Sequence, residues 1–146
     1  MRRILIPLAV LGALVLASCG TSQAASSCSK TFKVGFVTDI GKLGDKGFND
    51  AGWQGVKDAT ADASLCVQSK FLESKQPTDY TPNIQQFVDQ KYDMVVAAGF
   101  LLGDDTLKAA KANPNVKFTI VDSAGFTDPV APTNFTGLLF KQDQAG

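Results

Sequence analysis

Histidine is absent from all 146 residues. Its absence removes the usual general base near neutral pH and the commonest metal ligand. A Ser-His-Asp or Cys-His site is therefore impossible within this chain, as is any zinc site containing histidine. Cysteine is scarce, and Cys19, Cys28 and Cys66 show no C-x-x-C spacing, so redox and zinc-knuckle readings lack support. The G-x-S-x-G elbow of exported hydrolases is missing. Excess charge of either sign is missing too: fourteen Lys and Arg balance fourteen Asp and Glu. With no Lys/Arg cluster, nothing tracks a phosphate backbone, and nucleic acid is not an expected partner. No repeat of solenoid length occurs. What remains is ordinary for a globular chain with an apolar leader, at 45% hydrophobic and 19% charged residues. Such a length suits about one domain with a real core.

The beginning of the chain has its own logic. Arg2 and Arg3 precede an uncharged run from Ile4 to Ala17. That run is shorter than the roughly 18 residues of a membrane-spanning helix, so it reads as an export signal. Leu16-Ala17-Ser18-Cys19 closes it and resembles a bacterial lipobox, in which the cysteine is acylated and becomes the mature amino terminus. The plainer alternative is an ordinary signal peptide with an incidental cysteine. The expected division is a signal peptide over 1–18, a lipidated Cys19 with a flexible tether over 19–32, and a folded lobe over 33–146. The tether is small and polar, rich in Ser, Ala and Thr. Several acyl chains on one cysteine would hold the protein at the extracytoplasmic face of the cell membrane.

Past the tether, periodicity alternates between strand and helix. Lys33 to Thr38 is a short β-rich run ending at Asp39, followed by a loop from Gly41 to Gly47. Phe48, Ala51, Gly52, Gly55, Val56, Ala59 and Ala63 recur at helical steps and predict one inner face. Val67 to Leu72 is a second strand. Thr81-Pro82 signals a helix start, with Ile84, Phe87 and Val88 on its inner stripe. Asp93 to Gly99 is a near-continuous apolar run, as in a strand buried on both faces. Leu102 to Ala112 is a third helix, stopped at Asn113-Pro114. Val116 to Val121 and Phe135 to Phe140 are further strands. Gln142 to Ala145 looks like the opening of another helix, so the chain is expected to be truncated. This alternation predicts an α/β fold with a parallel, doubly wound sheet.

Such sheets bind ligands at the carboxyl ends of their strands. The pattern places Asp39, Gly99-Phe100 and Asp122 on that edge. Each has a structural alternative: Asp39 and Asp122 could cap turns, and Gly99-Phe100 could serve a tight turn. Asp45 is first a helix cap and second a ligand contact. Phe48 could pack in the core, and Asn49 could be exposed without duty. Cys28 and Cys66 precede neighbouring strands in a 2-1-3 order, so a disulfide and two free thiols both stay open.

Thr38-Asp39-Ile40-Gly41, then Asp45-Lys46-Gly47-Phe48-Asn49-Asp50 and Trp53-Gln54-Gly55, resemble the basic membrane protein family, the PnrA-like nucleoside-binding lipoproteins of ABC importers. Tyr92 to Phe100, Phe118 to Asp122 and Gly137 to Gly146 match in the same order. The resemblance implies one lobe of a Venus-flytrap receptor that holds a purine nucleoside between two lobes and delivers it to a membrane permease. It implies that Asp39 and Asn49 hydrogen-bond the ligand, that Phe48 stacks on the base, and that Asp122 adds a polar contact. Gly47 departs from the Ser that many members carry before Phe-Asn. No cofactor, metal or catalytic residue is implied. The residue types agree independently, because a neutral flat solute calls for an aromatic wall and a few fixed polar groups. A phosphate would call for a glycine-rich nest or an Arg fork, and G-x-G-x-x-G is missing. The rivals are a binding protein for a sugar or signalling molecule, and an exported α/β hydrolase.

Overall fold

The computed structural model describes residues 28–124 and 131–141. The export signal, Cys19 and the Gln142–Ala145 helix start lie outside them. Five strands form one sheet in the order β2-β1-β3-β4-β5, with every neighbouring pair parallel. They are β1 (Phe32–Thr38), β2 (Val67–Leu72), β3 (Met94–Ala98), β4 (Lys117–Val121) and β5 (Phe135–Leu138). The helices are α1 (Phe48–Ala61), α2 (Tyr80–Asp89) and α3 (Gly103–Ala112). The α/β, parallel, doubly wound architecture expected from alternation is the one observed.

Alternate residues of each strand enter two separate cores, because side chains on a strand point to opposite faces in turn. Val37, Val95, Ala97, Phe118 and Ile120 join Ile84 and Phe87 of α2 and Leu107 and Ala110 of α3. Val34, Phe36, Val96, Ala98 and Val121 join Val56 of α1 on the other side. A glycine is required in β1: a Cβ at Gly35 would lie 2.3 Å from the Phe87 ring. The amino ends of three strands are tied at Asp93. Its carboxylate accepts the Lys33 N–H at 2.8 Å, its own N–H donates to Lys33 at 3.0 Å, and Lys117 donates to its carbonyl at 3.0 Å.

The inner face predicted for α1 is corrected in part. Only Val56 and Asn49 are buried on this helix, and Phe48 is 41% exposed. Ala51, Gly52, Gly55 and Ala59 face the sheet across an open groove shared with Val96, Val121 and Leu138. Small side chains leave that space unfilled, while Trp53 reaches sideways to Phe36 and Phe71, with ring centroids 5.7 Å and 5.1 Å away. The start of α2 is also corrected. A short 3-10 turn over Pro77–Asp79 leads directly into Tyr80. Thr81 therefore lies inside the helix, where its hydroxyl meets Asp105, and Pro82 occupies the first turn without breaking any bond. Asp79 organises the entry, accepting the N–H of Lys75 at 2.9 Å and of Gln76 at 3.2 Å.

Cys28 and Cys66 are joined by a disulfide with a Cα–Cα distance of 5.7 Å. It lies at the amino ends of β1 and β2, the edge opposite the candidate site. Among the described residues, no helix is long and apolar enough to cross a membrane.

Candidate functional site

The loop between β1 and α1 carries three left-handed residues, Lys42, Gly44 and Lys46, with φ of 61°, 92° and 54°. Such backbone costs a non-glycine residue about 1 kcal/mol, so it persists only where other bonds hold it. Carboxylates supply them. Asp39 accepts the Gly41 N–H at 2.8 Å. Asp50 reaches back to the N–H groups of Gly44 at 2.7 Å and Lys46 at 2.9 Å. Glu73 takes the Leu43 N–H at 3.1 Å. With these donors facing side-chain acids, the loop is not an anion nest.

Asp45 starts the helix from two positions before its boundary residue, Gly47. One oxygen accepts the N–H of Gly47 at 2.8 Å and of Asp50 at 3.1 Å; the other accepts the Asn49 N–H at 3.2 Å. Partial burial pushes the Asp45 carboxyl up, but the Gly47, Asp50 and Asn49 groups together hold it below its ordinary value of 3.8. The capping function expected of Asp45 is thus visible in its bonds.

Asn49 is 2% exposed. Its amide donates to Asp39 at 2.8 Å and to Asp45 at 2.9 Å. Its oxygen is buried with no partner among the described residues. Asp39 meets β3 as well. Gly99 has φ of +100°, and a Cβ there would stand 2.4 Å from the second oxygen of Asp39. The Gly99 N–H bonds the Val121 carbonyl at 3.1 Å. Asp39, Asp45, Asn49 and Gly99 therefore form one cluster where β1 and β3 diverge, the topological switch point of such sheets.

Around this cluster the carboxyl edge is apolar and open. Phe48 stacks on Phe140, with centroids 5.5 Å apart and an interplanar angle of 28°. Ile40 and Leu139 are exposed in the segments leaving β1 and β5, and Phe100 and Leu101 in the 3-10 turn Phe100–Leu102 that follows β3. Large exposed apolar groups gathered on one edge mark an interaction surface. Asp122 follows β4 with φ of 63° and donates its N–H to the Leu138 carbonyl at 2.9 Å. Among the described residues, no hydrogen bond ties Asp122 or Phe100 to the Asp39 cluster.

Three neighbours escape a reading of the motif alone. Asp50 is a charged residue beside a conspicuous Phe-Asn pair, and its reach back to Gly44 depends on the loop path. Phe140 lies far along the chain from Phe48. Tyr80 is buried beneath the Asp39-Ile40 turn, with no well-formed hydroxyl bond among the described residues. Burial raises its hydroxyl above the ordinary 10.0; the Ile40 N–H opposes the rise, and the charges of Asp39 and Asp105 add to it.

These features define a class: a parallel α/β lobe with a polar cluster and aromatic surface at the carboxyl edge of its sheet. The sequence model of the Bmp family, described as ABC transporter substrate-binding protein PnrA-like, matches residues 27–146, and the chain belongs to that family. It is 32% identical to the ABC transporter nucleoside-binding protein BmpA of Lactococcus lactis subsp. cremoris (strain MG1363), over 80% of this chain and 34% of that protein. It is 29% identical to an uncharacterized lipoprotein of Pyrococcus abyssi (strain GE5 / Orsay), over 99% of this chain and 36% of that protein. The crystal structure of an ABC transporter system solute-binding protein from Aeropyrum pernix K1 superposes with a TM-score of 0.65. That match has 25% identity and covers 75% of this chain and 29% of the other. The chain thus spans about a third of the length of the curated relatives it matches.

Proposed function

We propose that this chain forms the amino-terminal lobe of a lipid-anchored receptor that captures a purine nucleoside and hands it to an ABC permease. The observation that carries the reading is the pairing, at one switch point, of an exposed aromatic ring with a rigid cluster of acceptors. Phe48 offers a face to a flat base beside Asp39, which is braced by Gly41 and Asn49. Asp122 stands at the end of β4 for a further polar contact. An anionic solute does not suit this lobe, because neither Asp39 nor Asp45 is paired with a cation among the described residues. The family assignment supports substrate binding, and the name of the Lactococcus relative supports a nucleoside. In this reading the protein performs no chemistry. It binds the solute between its two lobes, with the hinge closure usual for such receptors.

The anchor belongs to the same proposal. Residues 1–18 are removed, Cys19 carries the lipid, and the polar tether lets the lobe stand off the extracytoplasmic face. The test is a thermal-shift screen of the full-length protein against nucleosides, free bases and sugars. A ligand that binds only the folded state raises the melting temperature, and purine nucleosides are expected to give the largest rise. A rise with sugars alone would reassign the solute, and turnover of any compound would favour the hydrolase.

A further inference from the structure

We propose that the amino edge of the sheet is a second working surface, a basic patch that seats the lobe on anionic phospholipid and turns the Asp39 edge away from the bilayer. The inference rests on the lipid anchor proposed above and adds an orientation to it. No run of cations marks this surface in the chain; the sheet assembles it. Lys33 and Lys117 flank Asp93 in neighbouring strands, each bonded to it through its backbone. Lys30 pairs with the Asp93 carboxylate at 3.3 Å, and Lys91 lies two residues before it in a left-handed turn after α2. Lys30, Lys91 and Lys117 are exposed. Lys111, in the last turn of α3, adds a further cation. The other acids of this edge are Asp62 and Asp89, at the ends of α1 and α2, held by Ser64 and Gln85. The edge is net positive. The opposite edge has the reverse sign: Asp39, Asp45 and Asp50 outnumber Lys42 and Lys46 around the β1–α1 loop, and Asp104 and Asp105 open α3.

Segregation of charge matters here because net charge gives no attraction. Removal of residues 1–18 takes Arg2 and Arg3 with it, leaving twelve basic against fourteen acidic side chains in this chain. The point of attachment selects the basic edge. Cys28 enters there, fixed to Cys66 by the disulfide, and eight residues separate it from Cys19. Fully extended, such a stretch reaches about 30 Å, the diameter of a small domain. The edge that holds Cys28 is therefore kept nearest the bilayer. Charges act across roughly 8–10 Å at physiological salt, a gap that the tether allows this edge to close. Leu65, 53% exposed in the turn before Cys66, sets an apolar side chain on the same edge. Apolar groups beside cations suit the boundary between headgroups and acyl chains. A few screened lysines do not replace acyl chains, so the lipid holds the lobe and the patch orients it.

The test is vesicle flotation, at low salt, of the full-length protein carrying Cys19→Ser, so that no acyl chain contributes. Vesicles of phosphatidylcholine alone are compared with vesicles that also contain phosphatidylglycerol. Binding to the mixed vesicles only, and its loss as salt is raised, is the expected result. Lys91→Gln with Lys117→Gln should lower that binding about twentyfold, near fivefold for each lysine at a charged surface. Lys57→Gln with Lys75→Gln makes the same charge change elsewhere: Lys57 faces the hollow beside Lys46 and Asp50, and Lys75 follows β2 at the carboxyl edge. That pair should leave binding almost unchanged. Equal losses in the two pairs would reduce the effect to net charge and overturn the proposal. So would equal binding to both kinds of vesicle, or none to the mixed ones. Capture by soluble anionic cell-wall polymer but not by vesicles would overturn it as well. Mass spectrometry of the wild-type amino terminus checks the anchor separately. An unmodified Cys19 would fell the anchor and the orientation with it, a failure distinct from loss of vesicle binding.

Discussion

Gly99 is the residue on which the site depends most simply. It combines a left-handed φ of +100° with the carboxylate of Asp39 standing where a Cβ would go. Gly99→Ala should cost about 1 kcal/mol or more in stability from the backbone alone, and it should also push Asp39 from its bonds to Gly41 and Asn49. Urea denaturation and nucleoside titration of the same variant check both effects. Asp45 sets a pH dependence. Its folded-state value lies below the ordinary 3.8, so the unfolded chain takes up its proton first as pH falls. The contribution is present above about pH 4 and lost as pH drops through the lower folded value. Denaturation midpoints at pH 7 and pH 3 should therefore differ less in Asp45→Asn than in wild type. At this scale the site was legible by residue type: an Asp after a strand and a Phe-Asn pair opening a helix are visible in the chain. The direction of the Asn49 amide was not, because it is set by Asp39 and Asp45 together.

At the scale of elements, the strands were the most legible. A buried parallel strand must be apolar on both faces, and Met94 to Ala98 shows this without help. Helix starts were less legible because the carboxylates that shape them act away from the boundary residue. Asp79, next to Tyr80, holds the Lys75 and Gln76 N–H groups of the approach to α2, and Asp45, three residues before Phe48, takes N–H groups of α1; Thr81 is left inside its helix. The disulfide also belongs to this scale. It closes a sequence separation of 38 residues spanning β1 and α1, and the loop-closure account assigns such a bridge roughly 3–4 kcal/mol. Reduction, or Cys28→Ser with Cys66→Ser, should lower the urea midpoint. Nucleoside affinity should change little at denaturant concentrations where the lobe stays folded, since the bridge lies at the opposite edge. Gly35→Ala should be costly for a different reason: its Cβ would overlap the Phe87 ring and force the α2 core apart, by about 1–3 kcal/mol. The same denaturation series measures it.

For the whole molecule, the proposed attachment and the proposed capture fall at opposite ends of the sheet. The amino-terminal segment enters the sheet at Cys28, beside the amino ends of β1 and β2, while the Asp39 cluster occupies the carboxyl edge. A lipid on Cys19 would thus hold the lobe from one end and leave the other open. Cys19→Ser should move the protein from the membrane fraction to the soluble fraction without changing nucleoside affinity, as fractionation and calorimetry would register. The proposed capture between two lobes carries a further expectation: the 146-residue chain alone should bind nucleosides far more weakly than a two-lobed form of the protein.

The chain by itself determined the succession of strands and helices, the parallel sheet and the edge on which polar residues would gather, because burial on two faces and helical spacing are local patterns. The tertiary structure decided which groups meet: Asn49 between two acids, Gly99 against Asp39, Phe140 on Phe48, and Phe48 turned out of the core. Those contacts join residues from different strands and loops, and no local pattern encodes the distance between them. Periodicity can say that a side chain lies on one face of a helix. Only the packing of that helix against its sheet says whether the face ends in the core or at the open edge.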